Sequence, residues 1–253
     1  LDHAVSHHDI LLENEQNKQQ LPPDLLITFG QSVLSKNLKT FLRNGKTKAH
    51  WHVDTNNSVI DPFKALTKKI TLAPDAFFDI VASRLLEPIP QQNSYFNHWM
   101  ERDLQAGALI QDFFQTEKAS EFHAVEKILR GLPDNCHLHL ANSMTVRYAN
   151  YFGLKGKQQV TAWSNRGTSG IDGCVSTAVG HAINSENLNV IVTGDLAFFY
   201  DRNALWHHHL PQNLRIIILN NHGGGIFRLI NGPKQLDELE TYFETPQKLT
   251  ASN

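Results

Sequence analysis

Two short segments concentrate the residues best suited to holding a charged ligand. The first, Val190-Ile-Val-Thr-Gly194-Asp195-Leu196, is an apolar run that stops at a carboxylate. The second, Ile216-Ile-Ile-Leu-Asn220-Asn221, stops at two carboxamides and continues into His222-Gly223-Gly224-Gly225. A carboxylate, a carboxamide oxygen and a free backbone carbonyl are hard oxygen donors, of the kind that bind magnesium while leaving positions for phosphate oxygens and water. Asp195, Asn221 and a carbonyl at Gly223 are therefore the candidate metal ligands, with the glycines turning the chain tightly and exposing that carbonyl. Taken singly, each residue reads more simply, Asp195 as a helix cap and the Asn pair as a strand end. Together, with glycines beyond, they form a composite signal far more specific than a lone glycine motif.

Asp195 and Asn221 lie twenty-six residues apart, which leaves room for a helix and a return strand. Parallel neighbours would bring both to one sheet edge, where ligands bind in doubly wound folds. Strands are predicted at His137 to Ala141, Gln159 to Ala162, Asn189 to Thr193 and Arg215 to Asn220, with Ser120 opening a helix that continues over Glu121 to Leu129. Strands alternating with helices predict an α/β domain with a parallel sheet covered on both faces. Upstream, a strand over 24–30, a helix over Val33 to Leu42 and a strand over Ala49 to Asp54 make one βαβ unit. A helix over Ala76 to Leu86 follows, and Pro88, Pro90 and the polar residues 91–94 break the pattern. Residues 95–116 have helical spacing and read as a connecting helix. The expected organisation is a first domain over 1–92, a connecting helix over 93–117 and a second domain over 118–253. His207, His208 and His209 fall on a predicted helix, where neighbours point about 100° apart and cannot converge on one metal. His137 and His139 could share a strand face but have no third ligand nearby in sequence, and none of these histidines is assigned to catalysis.

The span from Gly194-Asp195 to Asn220-Asn221 resembles the cofactor signature of the thiamine-diphosphate-dependent decarboxylases and ligases. Leu196 stands where Gly is usual, a variation similar to the menaquinone-pathway synthases. Asn142-Ser143-Met144-Thr145-Val146-Arg147, Ser164-Asn165-Arg166-Gly167-Thr168-Ser169-Gly170-Ile171-Asp172-Gly173 and Gly223-Gly224-Gly225-Ile226-Phe227 resemble the same group, so the likeness covers most of the second domain. It implies two Rossmann-like parallel-sheet domains of the thiamine-diphosphate-binding fold. Residues 1–92 would be a partial central domain of the transhydrogenase dIII-like type, and 118–253 a diphosphate-binding domain truncated at its carboxyl end. The amino-terminal pyrimidine domain is expected to be absent.

The implied cofactors are thiamine diphosphate and Mg2+ (or Mn2+), held by Ser143, Gly170, Ile171, Gly194, Asp195, Leu196, Asn221 and Gly224. In this scheme the Gly170 carbonyl accepts from the aminopyrimidine, and Ile171 wedges the two cofactor rings into a bent conformation. Lys36, Arg147, Arg166, Ile226 and Phe227 would contact substrate. The implied reaction is a transferase one, decarboxylation of 2-oxoglutarate and addition of the succinyl-semialdehyde unit to isochorismate in menaquinone biosynthesis. Both substrates are dicarboxylates, which suits fixed guanidinium groups. No catalytic residue is assigned within the chain. The general-base glutamate is expected in the missing domain of a partner subunit, within a homodimer or homotetramer, and the chain alone is expected to be inactive.

A net charge of −2 over 253 residues gives no field favouring nucleic acid or an anionic membrane. Two cysteines are too few for a disulfide framework in a chain of this size, and a reducing cytoplasm fits them best. No apolar run approaches a membrane span and the opening residues lack a leader pattern, so no membrane insertion is expected. The absence of an initiator Met suggests a piece of something longer. Rival readings are an acetolactate synthase or another thiamine-diphosphate 2-oxoacid decarboxylase, which would need fewer carboxylate anchors than Arg147 and Arg166. A non-catalytic nucleotide-binding or interaction module is a further rival, and it predicts no magnesium-dependent binding of thiamine diphosphate.

Overall fold

The computed structural model describes residues 4–30, 33–56, 61–85, 93–154 and 159–251. The chain divides into two units, Leu1–Glu117 and Lys118–Asn253. The first contains α1 (His8–Leu11), α2 (Glu15–Gln20), β1 (Leu25–Phe29), α3 (Lys36–Asn44), β2 (Ala49–Val53), β3 (Leu66–Ile70), α4 (Pro74–Arg84) and α5 (Ser94–Thr116). Its sheet runs β1-β2-β3 with every described pair parallel. The α3 helix starts at Lys36 because the Ser35 hydroxyl accepts from Leu38 N and caps it. Leu11, Leu12, Phe41, Phe63 and Ala106 form the core. Ala106 belongs to α5, whose Asp103 is also buried and accepts from the backbone nitrogens of Ser6 and His7 at 2.8 and 2.7 Å. That helix therefore packs within the first unit. The domain end read at Pro88 and Pro90 lies outside the described residues.

The second unit contains α6 (Glu121–Gly131), β4 (His137–Leu140), α7 (Met144–Phe152), β5 (Thr161–Trp163), α8 (Cys174–Ile183), β6 (Asn189–Gly194), α9 (Asp195–Asp201) and β7 (Leu214–Leu219). Its four strands lie in the order β5-β4-β6-β7, all parallel. Side chains alternate between the two faces of a strand, and β6 uses both. Val190 and Val192 pack with Val125, Leu129 and Ala149 of α6 and α7, whereas Ile191 packs with Val175, Ala178 and Phe198 of α8 and α9. Burying each such aliphatic side chain contributes roughly 1.5–3 kcal/mol, which makes β6 the spine of the unit. Both units are thus α/β with a parallel sheet.

Two local expectations are corrected. The strand expected over Gln159 to Ala162 begins only at Thr161, since Gln159 has φ 62°, outside extended backbone. His207, His208 and His209 are not helical, because α9 gives way to a 3-10 turn at Arg202–Leu205 and the chain then runs irregularly to β7. Among the described residues, no helix is long and apolar enough to cross a membrane.

Candidate functional site

The β6–β7 ladder pairs Gly194 with Leu219, so the polar residues that follow both strands emerge at the same carboxyl edge. A cavity of about 440 Å³ opens there. Ser143, Arg147, Arg166, Gly170, Ile171, Gly194, Asp195, Leu196, Asn221, Gly223, Gly224, Ile226 and Phe227 all line it. Lys36 stands in the first unit, as the first residue of α3.

Asp195 opens α9 and is 2% exposed. Its Oδ2 accepts from the Gln247 side-chain amide at 2.7 Å. Glu121, at the start of α6, lines the same cavity and accepts from the Tyr148 hydroxyl at 3.4 Å. Burial pushes the Glu121 carboxyl up, helped by the negative charge of Asp195 and opposed by hydrogen bonds from Tyr148 and Asn221. Glu121, Asp195 and Asn221 thus line one cavity. A buried carboxylate, a carboxamide and a glycine-rich backbone suit a hard divalent cation that keeps positions for phosphate oxygens. Among the described residues, no group of three or more His, Cys, Asp or Glu could hold a metal, so a cation here must draw on amide oxygens and on the ligand itself.

The glycine loop works differently from its expected tight turn. The left-handed residue is His222, with φ 63°, and not one of the glycines that follow it. Gly223 and Gly224 are needed for close approach instead. A Cβ on Gly223 would sit 2.9 Å from the Glu244 carbonyl, and one on Gly224 would sit 3.1 Å from that of Phe243.

At the end of β4, Ser143 adopts φ 76° and ψ −131°, a conformation costing a non-glycine residue on the order of 1–3 kcal/mol and typical of functional turns. Next to it Asn142 is 1% exposed. Its amide donates to the carbonyls of Asn165 at 2.9 Å and Gly170 at 2.6 Å, and its oxygen accepts from Arg166 at 2.7 Å. Arg147 donates to the Ser143 carbonyl at 2.6 Å. Burial lowers the Arg147 pKa, and the like charge of Arg166 adds to the effect. Among the described residues, neither guanidinium forms an ion pair with a carboxylate. Guanidinium groups placed in this way suit an anionic ligand.

Sequence reasoning assigned no role to Asn142, Glu121 or Gln247. Asn142 stood inside a quoted motif and Glu121 at an expected helix start, but Gln247 carried no local signal. Away from the cavity, His137, His139 and His181 cluster, with His181 Nδ1 3.3 Å from His139 Nε2 and the His137 and His181 ring centroids 4.4 Å apart. Burial is the main cause holding His137 and His139 below the ordinary histidine range. The cluster packs α8 against β4, and among the described residues it forms no metal site.

A family model described as the middle domain of thiamine pyrophosphate matches residues 1–140. Among curated proteins, the 2-succinyl-5-enolpyruvyl-6-hydroxy-3-cyclohexene-1-carboxylate synthase of Cytophaga hutchinsonii is 43% identical over 251 residues, covering 98% of this chain and 44% of that protein. Proteins of the same name from Flavobacterium psychrophilum and Porphyromonas gingivalis are 41% and 40% identical, covering 90% and 97% of the chain and 40% and 43% of their own lengths. The chain spans less than half the length of these curated relatives.

Proposed function

Because the chain belongs to the family described as the middle domain of thiamine pyrophosphate, we propose that its second-unit cavity binds thiamine diphosphate through Mg2+ and serves a transferase of menaquinone biosynthesis. The reaction is decarboxylation of 2-oxoglutarate and addition of the succinyl-semialdehyde unit to isochorismate, giving the product for which the relatives are named. One observation carries the reading: Arg147 and Arg166, neither of them in an ion pair with a carboxylate among the described residues, share a cavity with Asp195 and Asn221. The cavity thus offers a dicarboxylate anchor beside a diphosphate anchor.

When bound, thiamine diphosphate supplies the nucleophilic carbon and the electron sink. The chain supplies binding and orientation. Asp195, Asn221 and the Gly223 carbonyl hold the cation, with Gly194, Leu196, Gly224 and Ser143 beside the cofactor. Gly170 would accept from its aminopyrimidine and Ile171 would lie against its rings. The Gly170 carbonyl already accepts from Asn142 and has a second lone pair for this. Arg147 and Arg166 hold substrate carboxylates, and Ile226 and Phe227 cover the pocket. The first unit is the central domain and the second the diphosphate-binding domain. A glutamate from a further domain acts as general base in a homodimer or homotetramer, and a cytoplasmic location suits the two buried cysteines.

Calorimetric titration with thiamine diphosphate and Mg2+ tests the reading. Binding is expected in wild type, to be lost in Asp195→Ala and on chelation by EDTA. Equal binding by wild type and Asp195→Ala would overturn it, and tighter binding of pyruvate than of 2-oxoglutarate to the loaded protein would favour a pyruvate-using enzyme instead.

A further inference from the structure

The polypeptide returns to the candidate cation site well after β7. Beyond a π-helical turn at Leu239–Phe243, residues 244–249 lie against the glycine loop. Gly224 N donates to the Glu244 carbonyl at 2.7 Å, and Gln247 N donates to the His222 carbonyl at 3.1 Å. Arg228 clamps the start of this strap by donating to Glu244 at 2.8 Å and to Glu240 at 3.0 Å. The strap is therefore fastened through backbone and neighbouring side chains, without the Gln247 side chain.

That side chain does something else. Its amide nitrogen donates to Asp195 Oδ2 at 2.7 Å and to Asn220 Oδ1 at 3.2 Å, bridging the carboxyl ends of β6 and β7. The amide is oriented, because its oxygen accepts from Leu249 N. A flipped amide would set N–H against N–H at Leu249 and oxygen against the carboxylate. Asp195 is 2% exposed, and among the described residues Gln247 is its side-chain hydrogen-bond partner. Among the described residues, Oδ1 has no protein donor. A carboxylate that binds a metal through one oxygen is commonly held at the other by such a donor, and removing it costs about 10–100-fold in metal affinity.

Building on the cofactor reading above, we propose that Gln247 is a positioning residue of the cation site, holding Asp195 Oδ2 so that Oδ1 is presented to a divalent cation. Gly223 serves the same end, since a side chain there would meet the Glu244 carbonyl at 2.9 Å and lift the strap.

The test uses Mn2+ as probe, titrated by electron paramagnetic resonance into the full polypeptide with thiamine diphosphate present. Gln247→Leu keeps the bulk of the side chain and removes the donor. Its Mn2+ affinity is expected to fall about 10–100-fold, and the melting temperature in EDTA reads separately the cost of leaving the buried Asp195 carboxylate without this donor. Gln247→Ala serves the same purpose should the leucine prevent folding. A folded variant binding Mn2+ within about twofold of wild type overturns the proposal, as does a variant that loses only thermal stability. Wild type that takes up no Mn2+ with the cofactor present overturns the cation-site reading itself, and this inference with it.

Discussion

Asn142→Leu is the most informative single substitution in the second unit. The new side chain is close to the old one in volume, so little packing is lost, and the effect isolates the polar bonds. Three are removed, to the carbonyls of Asn165 and Gly170 and from the Arg166 guanidinium. Gly170 and Arg166 border the cavity and can recover water. The Asn165 carbonyl does not line it and is left without this donor, a loss worth about 1–3 kcal/mol. Adding the two partly rehydrated partners, the variant should lose about 2–4 kcal/mol. Because the chain has two units, hydrogen exchange read by peptide is a better assay than a single melt. Protection should fall across 164–173 in particular, while α4 and α5 exchange as in wild type. A loss below about 0.5 kcal/mol, the scatter of ordinary surface substitutions, with loop protection intact would refute the idea that this buried amide organises the arginine loop.

Two other outcomes follow from the packing. Ile191→Ala, at a position 0% exposed between α8 and α9, should destabilise the second unit by about 2–5 kcal/mol in urea denaturation, and a loss under 1 kcal/mol would contradict the assigned core. His137 and His139 are both shifted below 6.5, chiefly by burial. The unfolded chain therefore binds more protons than the folded one as pH falls through 6.5. The stability gained by keeping these rings neutral is complete above that value and is lost on acidification towards the lowered pKa values. Thermal melts at several pH values should show this slope, and His139→Gln should flatten it; an unchanged slope would remove His139 from the explanation.

Apolar runs were the readable part of the fold. The β1, β6 and β7 strands sit close to their expected positions because each is a short hydrophobic stretch, and β2 and β4 because apolar residues alternate with histidines along them. The β3 strand, Leu66–Ile70, escaped notice because Lys68 and Lys69 interrupt its apolar character, and it pairs at a sheet edge where charge is tolerated. The short helices α1 and α2 hold their places through tertiary contacts of Leu11, Leu12 and Leu21, which no local pattern discloses. At the site, residues adjoining strand ends were legible, since chain order and sheet order coincide there. Gln247 was not, because its partner lies fifty-two residues away and they meet only through the strap. The glycines were noticed for a conformational reason that His222 in fact carries, while their actual need, space for the carbonyls of Phe243 and Glu244, is a tertiary property.

The ladder from Asn189–Leu214 to Gly194–Leu219 settles where the two polar strand ends stand, whatever path the chain takes between them. That path, 202–213, is anchored at its far end by Asn213, which donates to the carbonyls of Ala182, Ser185 and Asn187. Before that anchor it carries Trp206 at 77% and Leu210 at 51% exposure. A peptide tag spliced in beside the exposed His208 is expected to leave the geometry of the cavity undisturbed, since no residue of this path lines it.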